Sequence, residues 1–177
     1  SCMPCFPGMF QANNGSRDCI QCDVMYFAER QEAKECERCP TGKKTLTNGS
    51  ASCQSCAAGE YGNDCEDCAV GMYRAADDAN ASVCKACPGG YVQSIKGQAS
   101  CTPCTPGNYR SESGETQCLK CAADTFAQSM YSESCEPCGS GKRADRGAAS
   151  CFECSAGRFQ TGSKGSRKCE PCESGNF

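Results

Sequence analysis

All 22 cysteines of this 177-residue chain fall into C-x-x-C pairs, eleven in all. Their first members are Cys2, Cys19, Cys36, Cys53, Cys65, Cys84, Cys101, Cys118, Cys135, Cys151 and Cys169, so the usual step is 17 residues. A fixed period this short means one small unit repeated along the chain. Such a unit cannot bury enough apolar surface to fold alone, so covalent staples must stand in for a core. The rest of the composition agrees. Trp is absent, Phe and Tyr number 7 and 6, and no apolar run approaches a membrane span. The 19 Gly and 8 Pro favour turns over helices.

Alignment on the cysteines exposes a second layer of pattern. Three residues past the second cysteine stands glycine, at Gly8, Gly42, Gly59, Gly71, Gly90, Gly107, Gly141, Gly157 and Gly175, with Met25 and Asp124 as the exceptions. That recurrence predicts a backbone position of positive φ, or one crowded by a disulfide. Two residues later an aromatic recurs at Phe10, Phe27, Tyr61, Tyr73, Tyr109, Phe126, Phe159 and Phe177. Tyr91 comes one position early, and Lys44 and Arg143 break the pattern. These rings are expected to form the miniature cores. Four residues before the next pair glycine recurs again, as at Gly15, Gly49, Gly97, Gly114, Gly147 and Gly165. Each unit therefore reads as a rudimentary hairpin with strands at the short end of the usual range and almost no helix.

Periodicity narrows the disulfide connectivity to two schemes. In a relay, the second cysteine of each pair bonds the first of the next: Cys5–Cys19, Cys22–Cys36, Cys39–Cys53, Cys56–Cys65, Cys68–Cys84, Cys87–Cys101, Cys104–Cys118, Cys121–Cys135, Cys138–Cys151 and Cys154–Cys169. Cys2 and Cys172 would then bond partners beyond these residues. In a ladder, neighbouring pairs bond twice, and an odd number of pairs strands one of them. The relay absorbs the short step at Cys56–Cys65 as a smaller loop and is the preferred reading, with the ladder as its alternative. Each closed loop would contribute about 3 kcal/mol by constraining the unfolded chain.

Units such as "CTPCTPGNYRSESGETQC" and "CFECSAGRFQTGSKGSRKC" resemble the tandem ephrin-receptor-like cysteine-rich repeats of extracellular proteins. They are similar as well to the small cysteine modules of tumour-necrosis-factor receptors. The resemblance covers essentially the whole chain. It implies relay-type pairing and an elongated, non-catalytic rod, while such modules serve receptors, adhesins, matrix proteins and surface filaments alike.

Other chemistry fits poorly. The spacing C-x2-C-x13-C-x2-C comes close to that of zinc sites, but the number of equally spaced pairs, their odd total and the glycine-aromatic framework argue against a metal. A redox C-x-x-C needs a strand–helix context that is missing here. Histidine is absent, which removes the commonest general base. No phosphate cradle or calcium loop is found, so neither an enzyme nor a cofactor is expected. Formal net charge is -3. Neither the acidic stretch at 60–78 nor the basic one after Lys142 is a block that would suit nucleic acid.

Disulfides place the chain at an extracellular or cell-surface location. Sequons at Asn14, Asn48 and Asn80 fall near the polar turns and predict N-linked glycans. Ser1 opens inside a repeat with no leader before it, so the sequence reads as a window on a longer array. The expected fold is a small, disulfide-rich rod or solenoid of tandem 17-residue units with short β-hairpins. Its organisation is three regular units over 1–52, an irregular short-then-long pair over 53–83 with a possible kink, and regular units over 84–177. The expected function is an extracellular spacer, stalk or filament component, with a ligand-binding receptor or adhesin ectodomain as the alternative. Expected partners are further repeats of the same chain, N-linked glycans, and protein partners or self-association in an extracellular assembly.

Overall fold

The computed structural model describes residues 3–162 and 167–174. The expected roles of Cys2, Gly165, Gly175 and Phe177 fall outside them. Among the described residues there is no helix, and the regular structure is twenty short strands in ten two-stranded sheets. Each sheet pairs a strand with the next in sequence, and most strands are two residues long. Phe10 lies opposite Ile20, Tyr109 opposite Leu119 and Arg143 opposite Phe152. The last hairpin, Arg158–Thr161 with Lys168–Pro171, has four residues in each strand.

Isolated hairpins this short would not persist in water. Backbone hydrogen bonds between repeats hold them. The chain divides into two compact units. One comprises Ser1–Ala69, Tyr73–Lys85 and Lys96–Ser100; the other comprises Val70–Met72, Ala86–Ile95 and Cys101–Phe177. In the first, Gly8 N–H donates to Ala28 C=O at 2.8 Å, Gly42 to Gly62 at 2.9 Å and Gly59 to Arg74 at 2.8 Å. In the second, Gly71 donates to Gln93 at 2.7 Å, Gly90 to Arg110 and Gly107 to Ala127, each at 2.8 Å. Each bond links a repeat to its successor. The same carbon backbone closes its own hairpin, as when Cys104 N–H donates to Gly90 C=O at 2.8 Å. Polar backbone that would otherwise be orphaned is thus consumed by repetition.

The positive-φ expectation holds even where glycine is missing. Gly8 has φ of 88°, and the two exceptions, Met25 and Asp124, adopt 69° and 63°. The second recurrent turn behaves alike: Gly114 has φ of 77°, and Glu32 and Tyr131 at the same repeat position take 61° and 65°. The repeat imposes these conformations and the side chain tolerates them.

Glycine at the first turn also answers to packing. A Cβ on Gly8 would overlap the carbonyl of Gly49, and one on Gly107 would overlap that of Gly147. Both partners belong to the repeat after next. Contact therefore reaches two repeats along the chain, beyond the nearest-neighbour coupling usual for solenoids.

The miniature cores differ from expectation. The aromatic rings are only half-buried, and Phe159 is 48% exposed. What is fully enclosed is sulfur: Cys22, Cys68, Cys87, Cys104 and Cys121 are 0% exposed. Around them sit the residues just after the aromatic position, Ala28, Thr45, Arg74, Gln93, Ala127 and Ala144, all buried. A two-residue hairpin gives a ring one face to lie on and leaves the other to water. The enclosed half of each bridge is the second cysteine of its pair, while the partners Cys36, Cys84, Cys101, Cys118 and Cys135 are half-buried.

Candidate functional site

The structure joins Cys5 to Cys19 and continues in the same manner to Cys154–Cys169, closing loops with sequence separations from 9, at Cys56–Cys65, to 16, at Cys68–Cys84. Cys172 is half-buried and unbridged. With twenty cysteines held in disulfides, no thiolate is available there for nucleophilic or redox work. The one grouping of metal-ligating side chains among the described residues is Cys56, Glu60 and Cys65. Its two cysteines are bonded to each other, and Lys44 Nζ holds the Glu60 carboxylate at 2.6 Å. That donor set does not suit a metal cation. Over the described residues the chain is a disulfide-stapled, cysteine-rich repeat module.

The three sequon asparagines are all exposed. Asn48 accepts through Oδ1 from Val24 N–H at 3.1 Å, and Asn80 accepts through Oδ1 from Ser82 N–H at 2.9 Å. The amide nitrogen, where a glycan would attach, is used in neither bond.

Three of the six carboxylates at 60–78 are in ion pairs. Asp64 pairs with Arg38 at 2.8 Å, Glu60 with Lys44, and Asp78 with Lys85. The hydrogen bond from Lys44 holds the Glu60 carboxyl below the ordinary glutamate range. The bond from Lys85 does the same for Asp78, and in return Asp78 raises the Lys85 ammonium. Between them Arg74, 3% exposed, donates to Cys56 C=O at 3.0 Å, to Ala57 C=O at 2.7 Å and to the Glu60 carbonyl. A buried arginine serving three carbonyls was not visible as a site in sequence. Only its place directly after the aromatic position could have signalled it.

Two departures from the repeat meet in space. Tyr91 precedes the usual aromatic position by one residue. Because neighbouring strand residues face opposite ways, this shift carries the ring to the other side of its hairpin and leaves Val92 buried in its stead. Tyr131 replaces the glycine of the second turn two repeats later. It keeps that turn's backbone role, donating N–H to Cys104 C=O at 3.1 Å, as Gly114 does to Cys87 and Gly147 to Cys121, both at 2.8 Å. The two rings stack, with centroids 5.1 Å apart and planes inclined by 28°. A Cβ on Gly90 would strike the Tyr131 backbone, and one on Gly89 would come 2.9 Å from Glu133 Cδ. The adjoining glycines thus admit Tyr131 and Glu133 to the same spot. A bulky residue at left-handed φ costs about 1–3 kcal/mol. A ring pair returns about 0.5–1.5 kcal/mol. Tyr131 therefore adds little stability over the glycine found at equivalent turns.

Comparison with known proteins agrees with this local picture. Residues 89–138 match the family described as tyrosine-protein kinase ephrin type A/B receptor-like. The matched segment contains Tyr91, Tyr131 and the disulfides from Cys104 to Cys135. The curated proteins contain no match to the chain. Similar stapled hairpins recur outside the matched segment, which points to a broader cysteine-rich repeat class. Among the described residues no helix is long and apolar enough to cross a membrane.

Proposed function

We propose that this chain forms part of an extracellular or cell-surface ectodomain of receptor or adhesin type, presenting surface side chains to a protein ligand from a disulfide-stapled repeat scaffold. The match of residues 89–138 to an ephrin-receptor-like family carries this reading. The tyrosine pair inside that segment, Tyr131 exposed and Tyr91 half-buried, supports it, because aromatic residues concentrate binding energy at interfaces. In this reading the disulfides form the relay in the secreted protein, and N-linked glycans occupy Asn14, Asn48 and Asn80. The unequal loops within 53–83 mark a change of geometry between regular arrays at 1–52 and 84–177.

Fluorescent tetramers of the oxidised chain should bind cells saturably, be competed by unlabelled chain, and lose binding on reduction. Absence of competable binding would leave the second reading, an extracellular spacer or filament component. The backbone hydrogen bonds between successive repeats favour that alternative, since they suit a covalently linked stack that sets distance or bears tension.

A further inference from the structure

We propose that Tyr91, Tyr131 and Glu133 form a docking site for a cationic side chain, arginine or lysine, of a partner protein. The site deepens the receptor reading given above and rests on it.

Strain is the first ground. Tyr131 holds a left-handed backbone at φ 65°, as Glu32 does at 61°, where five equivalent turns among the described residues carry glycine. Its own stacking roughly offsets that cost without exceeding it, and 51% of the residue stays in water. An unfavourable conformation that presents a large ring outward calls for something to meet the ring. Position is the second ground. Tyr91 is the one aromatic displaced from its repeat position, and the displaced ring lies directly against Tyr131. Two independent departures from the repeat produce one feature.

Charge chooses the occupant. Glu133 is exposed and lies beside Gly89, next to the glycine that accommodates Tyr131. It enters no ion pair among the described residues. A tyrosine face offers negative quadrupole density to a cation, and a nearby carboxylate adds full charge. Met130, itself exposed, offers polarizable surface for the aliphatic stem of an arginine or lysine. An anion would meet Glu133 unfavourably. A neutral sugar would meet the rings and hydrogen-bond the carboxylate but leave its charge uncompensated.

The test uses the oxidised, isotope-labelled chain and three capped tripeptides, Gly-Arg-Gly, Gly-Lys-Gly and Gly-Gln-Gly. The arginine and lysine peptides should produce saturable chemical-shift changes centred on Gly89–Tyr91 and Met130–Glu133, and the glutamine peptide none. Glu133→Gln should weaken binding by roughly tenfold or less. Tyr131→Gly should abolish saturation while leaving the melting temperature unchanged or higher. The proposal is overturned if the glutamine peptide or a methyl glucoside shifts the same resonances equally, or if no peptide saturates them. It is overturned as well if Tyr131→Gly lowers the melting temperature, which would make the ring a structural brace. If Tyr131→Gly tetramers still bind cells as the parent does, the receptor reading stands and this site falls.

Discussion

The repeat closed by Cys104–Cys118 and the short repeat closed by Cys56–Cys65 share one backbone frame but differ in how much buried side-chain charge is added to it. In the first, backbone makes the connections to other repeats: Gly107 N–H to Ala127 C=O, and the Gly147 carbonyl packed where a Cβ would stand. In the second, Gly59 keeps its bond to Arg74 C=O and packs against the Gly97 carbonyl in the same way, and charged side chains add to these contacts. Arg74 serves three carbonyls and Lys44 holds Glu60. Its loop, only 9 positions apart at its cysteines, still reaches both neighbours through Gly62, whose C=O accepts from Gly42 N–H and whose N–H donates to Ala81 C=O, each at 2.9 Å. Backbone contacts tolerate sequence change and ignore pH. Side-chain contacts do neither.

Breaking a staple should have the largest effect. Cys104→Ser should cost about 3 kcal/mol, with hydrogen exchange rising from about Gly97 through Ser132. The reach to Ser132 follows from Tyr131 N–H bonding to Cys104 C=O and Arg110 N–H bonding to Ser132 C=O. Amides near Cys5–Cys19 should stay protected, and a uniform loss of protection would contradict local coupling. Non-reducing peptide mapping of the parent should recover Cys104 with Cys118; Cys101 with Cys118 would overturn the relay.

A second experiment opposes two glycines of similar φ. Gly107→Ala must displace the Gly147 carbonyl as well as adopt a left-handed backbone, whereas among the described residues nothing lies within 4 Å of a Cβ on Gly157. The first should cost about 2–3 kcal/mol and the second about 1 kcal/mol, read by thermal melting. Equal costs would remove the two-repeat packing contact from the account.

In the irregular stretch, Arg74→Met should cost about 2 kcal/mol by stranding buried carbonyls. Faster exchange should appear at Gly59 and Gly62 and not at Gly107. Were Gly107 equally affected, the local role of Arg74 in the short repeat would fail.

The smallest effect is acid sensitivity. Glu60 titrates below its ordinary range when folded, so its contribution is present above the unfolded value and is lost as pH falls through the lowered folded value. Acidification through the carboxylate range should therefore loosen the Cys56–Cys65 repeat before the Cys104–Cys118 repeat. Lys44→Met should remove much of the difference. The raised Lys85 acts in the opposite direction: its contribution is complete below the ordinary lysine value and is lost as pH rises through the folded one.

Much of this was legible in the residues themselves. The C-x-x-C period predicts stapled hairpins, and recurrent glycine predicts positive φ, because both are local consequences of chain geometry. The same rule reaches Met25 and Asp124, which lack glycine and adopt the conformation anyway. What sequence could not supply was which atoms meet across repeats. The rings at Phe10 or Phe159 look like cores in a linear pattern, yet burial is decided by how many sides a neighbour covers, and the stack covers Cys22 and Ala28 more completely. Arg74 reads as an isolated charge until three carbonyls converge on it. Tyr91 and Tyr131 read as two unrelated lapses in a repeat. They became one feature only when the chain returned after two repeats and set one ring on the other, since spatial proximity belongs to the fold and a pattern along the sequence does not encode it.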